Sequence, residues 1–230
     1  MNYRATNGPV AAEAFPFALP LAAVAFLTLT LDLGPFMTFI GAVCVILLVF
    51  VLAFFRNPER YHKRVANSVI SGADGQVVAA GLTPHEDFPG GQCLRIAIFM
   101  NVFNCHVNWS PVAGRVIKAV HYPGKFLNAM SDKCAEENER KILQIVTPSD
   151  HLVEVKLVAG LVARRIVCPV EKGDELQQGE KVGLIRFGSR VEILLPSDSA
   201  LHVRPGMIIR GGETIVATLP EGRTIEGDLA

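Results

Sequence analysis

The chain has no excess of charge of either sign, because 22 Lys and Arg residues balance 22 Asp and Glu residues over its 230 positions. A protein that binds nucleic acid usually carries a basic face that compensates the phosphates. No basic tail and no motif that interleaves aromatic and basic residues is present in this sequence. The sequence therefore predicts no nucleic-acid partner.

Cysteine is scarce, and its spacing is typical of neither a disulfide framework nor a zinc site. The number of cysteines is odd and no Cys-x-x-Cys pair occurs among Cys44, Cys93, Cys105, Cys134 and Cys168. We therefore expect no metal, and a reducing compartment fits this usage best. Cys44 lies in the most apolar segment, where we expect it to act as a small hydrophobic residue.

Hydrophobic residues are concentrated near the N-terminus, in two runs without charge, residues 15–31 and 33–55. A helix needs about 20 apolar residues to cross the hydrocarbon core of a bilayer. The second run passes this test easily, whereas the first is marginal and contains Pro16 and Pro20. Residues 1–55 are therefore predicted to form a membrane-anchoring hairpin that crosses twice, or a re-entrant segment followed by one span.

Basic residues follow the second run at once, whereas the short loop at Asp32 between the runs has none; the basic residues are Arg56, Arg60, Lys63 and Arg64. The positive-inside tendency then puts the chain from residue 56 onward in the cytoplasm, at the inner (cell) membrane. A cleaved signal peptide fits poorly, because two apolar blocks are present instead of one. The remaining alternative is a buried hairpin in a soluble protein.

Residues 56–230 have the pattern of a separate domain rich in β-strands. Short runs rich in Val and Ile, such as "QVVAAG" and "LVEVKLVAG", alternate with Gly, Pro, Asp and Asn, as in antiparallel sandwiches and barrels. Only residues 129–140 have helix-like content. The glycine spacing over 170–189 resembles the barrel-sandwich hybrid fold of lipoyl and biotinyl carriers. We therefore predict a mainly β (α+β) domain of this type after the transmembrane hairpin.

The segment "LIRFGSRVEILLP", residues 184–196, carries Gly188-Ser189 in the middle of an apolar strand. The ordinary explanation is a β-bulge or corner with an incidental serine. A nucleophile elbow is disfavoured because strand lies on both sides. A serine that follows glycine has a further possibility, since its hydroxyl can attack the unhindered upstream carbonyl. An N-to-O acyl shift and β-elimination then cut the chain and leave a pyruvoyl group.

Five ordered motifs carry a resemblance that extends to about residue 218: "SGADGQV", "FNCHVNWSPVAGRV", "YPGKF", "EENER" and "FGSRVEILLP". Together they resemble the phosphatidylserine decarboxylases of the short, bacterial type. The resemblance implies self-cleavage between Gly188 and Ser189 into chains 1–188 and 189–230, which stay together as a heterodimer. It also implies that Ser189 becomes a pyruvoyl cofactor, with no metal.

The same resemblance implies the reaction. The serine amine of phosphatidylserine forms a Schiff base with the ketone derived from Ser189, which acts as the electron sink while CO₂ leaves. The product is phosphatidylethanolamine, so the expected role is phospholipid biosynthesis with the bilayer as a partner. Apolar residues near Phe99–Phe103 are expected to enter the membrane interface.

Two further residues are assigned catalytic roles by the resemblance. Asp74 matches an aspartate of self-cleavage, which would orient or charge-stabilise a base next to Ser189; the alternative is an Asx-turn before Gly75. His106 matches a histidine that moves protons in maturation and turnover; the alternative is a structural histidine. Some members have a second histidine where this chain has Trp109. His106 must then move protons in both maturation and turnover, or another group contributes, for which His121 is the further candidate.

Other motif residues keep two interpretations each. Lys125 either meets the substrate phosphate or is a solvated turn residue, and residues 138–140 form either a headgroup or loop-ordering cluster or an exposed polar face. Two alternative functions also stay open. One is a decarboxylase of another serine-headed lipid, such as an archaetidylserine-like ether lipid. The other is a non-enzymatic, membrane-anchored lipoyl-like scaffold, although the chain lacks a carrier-type lysine at a hairpin tip and a coiled coil.

Overall fold

The computed structural model describes residues 8–31, 33–63, 65–126, 134–160, 165–186 and 189–221. These residues fall into two compact units, of which the first ends at Glu59 and the second begins at Arg60. Each unit is described by itself below.

The first unit is a pair of apolar helices. A single 3₁₀ turn, Ala12–Ala14, leads into α1 (Phe15–Thr30), and α2 (Pro35–Phe54) follows a short connection. Gly34 caps α2 with φ of 89°, and Pro35 occupies the first turn, where its missing N–H costs nothing. The helices pack closely at Gly41, where a Cβ atom would lie 2.5 Å from the Thr28 hydroxyl. The predicted helical hairpin is confirmed.

Both helices are long and apolar enough to be candidate membrane spans. Mean hydropathy is 1.7 over Ala12–Thr30 and 2.9 over Pro35–Phe54. A helix of 20 residues is about 30 Å long, which matches the hydrocarbon core. The hydroxyls of Thr28 and Thr30 bind backbone carbonyls of their own helix, at 2.8 and 2.7 Å, so these polar groups are satisfied inside the apolar segment.

The second unit is built mainly from strands. In chain order they are β1 (Ser68–Ile70), β2 (Gly75–Pro84), β3 (Gln92–Met100), β4 (Val107–Trp109), β5 (Gly114–Tyr122), β6 (Arg140–Val146), β7 (Leu152–Ala159), β8 (Ile166–Val167), β9 (Glu175–Leu176), β10 (Lys181–Ile185), β11 (Ser189–Pro196), β12 (Ala200–Leu201), β13 (Ile208–Ile209) and β14 (Ile215–Thr218). A 3₁₀ turn, Pro89–Gly91, precedes β3, and a short helix, α3 (Cys134–Glu137), precedes β6.

The largest sheet has eight antiparallel strands in the order β13-β2-β3-β11-β7-β6-β5-β9 and curls into a half-barrel. Two three-stranded sheets accompany it, with orders β4-β10-β8 and β1-β14-β12. The predicted fold class, mainly β after an apolar helical hairpin, is confirmed.

The core lies on one face of the large sheet. Along β11, Val191, Ile193 and Leu195 are buried among apolar residues of β3 and β7, as period-2 alternation requires. The opposite face carries Arg190 and Glu192, which are also buried and form an ion pair of 2.7 Å. Strand β11 is therefore central to the sheet and is held on both sides.

The segment predicted as one strand with a glycine break is two strands in different sheets. β10 ends at Ile185 in a three-stranded sheet, and β11 begins at Ser189 in the eight-stranded sheet. The chain passes from one sheet to the other over residues 186–188, of which Phe187 and Gly188 lie outside the described residues. Of the helix-like segment 129–140, α3 is helical and residues 129–133 lie outside the described residues.

Candidate active site

Ser189 is the first residue of β11 and is fully buried. It lies opposite Met100 of β3 on one side and Ala159 of β7 on the other. Its hydroxyl donates a hydrogen bond to the Met100 sulfur at 3.1 Å. Because a thioether is a weak acceptor, this bond orients the hydroxyl but costs little to break when the proton moves. The predicted cleavage partner Gly188 lies outside the described residues.

Strand β4 places Asn108 beside the same sulfur. The Asn108 Nδ2 atom lies 3.8 Å from Met100 Sδ, so Ser189 and Asn108 share one neighbour. His106 precedes Asn108 by two residues, and its carbonyl accepts a hydrogen bond from the Ile185 N–H at 3.2 Å. His106 therefore lies next to the end of β10, where the chain leaves for Ser189.

The ring of His106 is buried, and its contact with a backbone carbonyl defines its tautomer. Nδ1 lies 3.0 Å from the Asn104 carbonyl oxygen. Since a carbonyl can only accept, the proton of the neutral ring resides on Nδ1, and Nε2 is the basic nitrogen. This arrangement is the one that a general base requires.

A compact turn, residues 101–104, holds the carbonyl that orients His106. The Asn104 side chain accepts from the Asn101 N–H at 2.8 Å, and the Asn101 side chain accepts from the Phe103 N–H at 2.9 Å. Phe103 is left 77% exposed at the tip of this turn. In contrast, Phe99 is half-buried and Met100 is buried, so among the apolar residues of the predicted interfacial stretch it is Phe103 that faces solvent.

Asp74 is buried in a cluster of charged side chains that the sequence did not predict. Its carboxylate accepts from the Gly211 N–H at 2.8 Å and pairs with Arg60 at 3.0 Å. Arg60 also pairs with Glu213 at 3.1 Å, and its guanidinium carbon lies 5.6 Å from the Trp109 ring centroid. Burial acts to lower the pKa of Arg60, but the Asp74 and Glu213 carboxylates outweigh it and raise that pKa.

The described contacts of Asp74 do not join it to Ser189 or His106. Side chains of consecutive strand residues point to opposite sides, and the contacts of Asn108 with Met100 and of Trp109 with Arg60 follow this rule. Asp74 therefore lies on the Trp109 side of β4. Its predicted work on a base next to Ser189 remains a prediction, and its direct partner here is Arg60.

His121, the reserve candidate, lies away from this site. It is in β5, three strands from β11 in the sheet, which is about 14 Å at the usual strand spacing. Its side chain is half exposed and lies 3.7 Å from Glu139. Of these two histidines, His106 is therefore the one beside the end of β10.

The residues of the "EENER" and "YPGKF" motifs have mainly ordering contacts. Asn138 is buried and donates to the carbonyl of Ala159, the residue opposite Ser189, at 2.7 Å. Arg140 stacks on Tyr122 at 4.7 Å, and exposed Lys125 pairs with Glu137 at 2.9 Å. These contacts favour the loop-ordering interpretation for Asn138 and Arg140 and the solvated one for Lys125.

Two cysteines of this unit, Cys93 and Cys168, are held as thiols by burial. Burial raises the pKa of Cys93 to about 11 and also raises the pKa of Cys168, so both stay thiols near neutral pH. In the described part of the chain, no group of three or more His, Cys, Asp or Glu side chains is arranged to hold a metal ion. The Ser189 hydroxyl stays the predicted nucleophile.

Sequence reasoning missed three residues of this neighbourhood. Met100 and Asn108 looked like ordinary strand residues, although "FNCHVNW" contained the period-2 signal that puts His106 and Asn108 on one side. Arg60 was interpreted as a topology signal of the second apolar run. Its partner Glu213 is 153 residues away, so no local pattern could have revealed the pair.

Comparison with known proteins gives consistent results. The sequence model of a family described as phosphatidylserine decarboxylase matches residues 47–217. The chain is 45% identical over 213 residues to the phosphatidylserine decarboxylase proenzyme of Desulfotalea psychrophila, covering 92% of this chain and 97% of that protein. It is 44% identical to the proenzyme of Symbiobacterium thermophilum, covering 92% and 96%. It is 47% identical to that of Burkholderia mallei, covering 76% and 81%.

Proposed function

The chain belongs to the phosphatidylserine decarboxylase family, and on that premise we propose that it converts phosphatidylserine to phosphatidylethanolamine with a pyruvoyl group made from its own Ser189. The observation that carries the proposal is the position of the Ser189 hydroxyl, which is buried at the start of β11 beside Met100 and next to the strand that follows His106. The proposed location is the inner (cell) membrane, with residues from 56 onward facing the cytoplasm.

Maturation begins with the Ser189 hydroxyl. His106 takes the hydroxyl proton while the oxygen attacks the carbonyl carbon of Gly188, and it passes this proton to the Ser189 nitrogen as the amide C–N bond breaks to give an ester. Removal of the Ser189 α-proton then breaks the Cβ–Oγ bond and releases the Gly188 carboxylate. Tautomerisation and hydrolysis of the remaining dehydroalanine release ammonia and leave the ketone. Burial of Ser189 keeps water from hydrolysing the ester prematurely.

The residues around Ser189 fit a pyruvoyl group. Ala159 is small, Met100 is soft, and the Asn108 amide, whose described hydrogen bond is the 3.8 Å contact with sulfur, would donate to a keto oxygen. The pyruvoyl group supplies a ketone that captures the substrate amine and accepts the electron pair released with CO₂. His106 then returns a proton to the substrate carbon that lost the carboxylate.

The sheet explains how two product chains would stay together. Cleavage before Ser189 leaves β11 at the start of chain 189–230, where it remains paired with β3 and β7 of chain 1–188. Three of its side chains, Val191, Ile193 and Leu195, are fully buried in the core. Their burial contributes roughly 1.5–3 kcal/mol each. The proposed heterodimer is therefore held by the central strand of the sheet.

The direct test is decarboxylation by the purified full-length protein in phosphatidylcholine vesicles containing carboxyl-labelled phosphatidylserine. We expect labelled CO₂ and phosphatidylethanolamine in equal amounts. A parallel assay with a serine-headed ether lipid distinguishes the alternative substrate. Absence of product from both lipids would contradict the proposal.

A second prediction concerns the exposed Phe103 at the tip of the 101–104 turn. If this ring enters the membrane interface, Phe103→Ser should lower kcat/KM on vesicle-embedded phosphatidylserine about tenfold, because burying such a side chain stabilises binding by roughly 1.5–3 kcal/mol. Activity on a short-chain, water-soluble phosphatidylserine should stay within twofold or so.

The matched control is Leu82→Ser. Leu82 is 63% exposed. It pairs with Leu94 of β3, whereas the 101–104 turn follows the opposite end of β3, at Met100, so Leu82 lies away from Phe103. We expect this variant to behave like wild type on both substrates. Equal losses for the two variants, or a Phe103→Ser loss on the soluble substrate as well, would show that Phe103 does not act at the membrane.

A further inference from the structure

Arg60 lies at the centre of a cluster that joins four parts of the second unit. Its two terminal nitrogens reach Asp74, in the turn before β2, and Glu213, in the turn before β14. Its guanidinium lies over the ring of Trp109, which ends β4. Arg60 itself begins the continuous segment Arg60–Ala230 of this unit. Its side chain is only 11% exposed, so these contacts are made largely out of water.

The turn at Gly211 and Gly212 packs closely against the side chains of Trp109 and Arg60. A Cβ atom at Gly211 would lie 2.5 Å from the Trp109 ring, and one at Gly212 would lie 3.1 Å from the Arg60 Cβ. Gly212 also has φ of 74°, a conformation that favours glycine. The Gly211 N–H donates to the same carboxylate that Arg60 binds. The close fit indicates a built cluster rather than a chance surface ion pair.

The cluster is connected to the cleavage site through β4 and β10. Trp109 pairs with Lys181 and Val107 with Leu184, so the position of β4 determines the position of β10. β10 leads directly into residues 186–189, and His106 immediately precedes β4. A shift of Trp109 would therefore move His106 relative to Ser189, and displacements of about 1 Å cost enzymes up to roughly 100-fold in rate.

We propose that Arg60 is a positioning residue for self-cleavage, which holds Asp74, Glu213 and Trp109 in one arrangement and thereby aligns His106 with Ser189. The inference rests on the proposed function. It gives Asp74 a role through Arg60 and β4 rather than through direct contact with the base. The cluster also joins the two product chains, because Arg60 and Asp74 belong to 1–188 whereas Gly211 and Glu213 belong to 189–230.

The test follows conversion of the full-length chain to its two products in a cell-free reaction with vesicles. Arg60→Gln should slow conversion roughly 100-fold, because it leaves the buried Asp74 carboxylate and the partly buried Glu213 carboxylate without their shared cation. Arg60→Lys keeps the charge but loses the planar fork and the stacking, so about tenfold slowing is expected. Asp74→Asn added to Arg60→Gln should slow conversion little further, since residues of one network are not additive.

Two control variants separate this role from others. Arg56→Gln removes the same charge beside the second helix, where Arg56 binds the Ala53 carbonyl, and should convert at the wild-type rate. Arg210→Gln removes a 72% exposed partner of Glu213 and should also convert normally. If Arg56→Gln slowed conversion equally, the cause would be a changed orientation of the chain in the membrane rather than positioning by Arg60. That result would overturn the inference.

Folding is measured separately in the uncleaved Ser189→Ala background. Adding Arg60→Gln to it should lower the melting temperature by several degrees but leave one cooperative transition, so that the chain is still folded at the assay temperature. A collapse of the fold in both Arg60 variants would assign Arg60 a structural role and overturn the inference. If wild type converts and Arg60→Gln converts equally fast, the inference alone fails. If wild type never converts, the proposed function fails.

Discussion

Replacing Ser189 with alanine is expected to leave the protein as a single chain without decarboxylase activity. The alanine variant keeps the β11 pairing with Met100 and Ala159, but it has no oxygen to attack the preceding carbonyl. Without cleavage no ketone forms, so activity should fall by roughly 10⁴-fold or more, as when other enzymes lose their nucleophile. A denaturing gel and the labelled-lipid assay measure the two effects.

The matched control is Ser110→Ala. Ser110 is also fully buried, and its hydroxyl donates to the Val112 carbonyl at 2.7 Å in a turn that precedes β5. Its loss should cost about 1 kcal/mol of stability and leave cleavage unaffected. If Ser189→Ala still yielded two chains or retained activity, the serine would not be the source of the electrophile. If both variants stayed uncut, the defect would be one of folding.

Replacing His106 with glutamine should slow both cleavage and turnover. The amide retains a donor for the Asn104 carbonyl, so the turn and the strand should persist, but it cannot exchange a proton. Loss of a general acid or base typically costs about 10²–10⁴-fold. Cleavage is followed over days on the gel, and turnover is divided by the amount of ketone that phenylhydrazine titrates in each sample.

This normalisation separates the two tasks assigned to His106. Turnover per ketone that equals wild type would assign His106 to maturation alone, and a normal cleavage rate would assign it to turnover alone. Either result would contradict the dual role that Trp109, in place of a second histidine, suggests. His85→Gln serves as the control, because His85 pairs with Glu154 at 3.4 Å in a loop near the far end of β2.

Much of the fold followed from local patterns in the sequence. The two uncharged runs became α1 and α2, and the Val- and Ile-rich runs became strands, because hydrophobic length and alternation are properties of adjacent residues. The division of residues 184–196 between two sheets did not follow from them. An apolar run looks the same whether its two halves pair with one set of partners or with two.

The candidate site, too, was predictable from the sequence only in part. Ser189 and His106 were predicted from motifs, and the structure adds that β4, which follows His106, pairs with β10, the strand that precedes β11. The role of Asp74 toward a base stays a prediction, and the structure adds its ion pair with Arg60, which the sequence did not predict. That pairing depends on contacts between residues far apart in the chain. Only the folded chain reveals that a charge beside the second apolar run is buried among carboxylates.

The most direct test of this account is mass spectrometry of the purified wild-type protein. We predict two chains, 1–188 and 189–230, of which the second is lighter by one ammonia than the same chain with an N-terminal serine. Borohydride should add two hydrogens to it by reducing the ketone. A single intact chain of 230 residues with no reducible carbonyl would contradict the account.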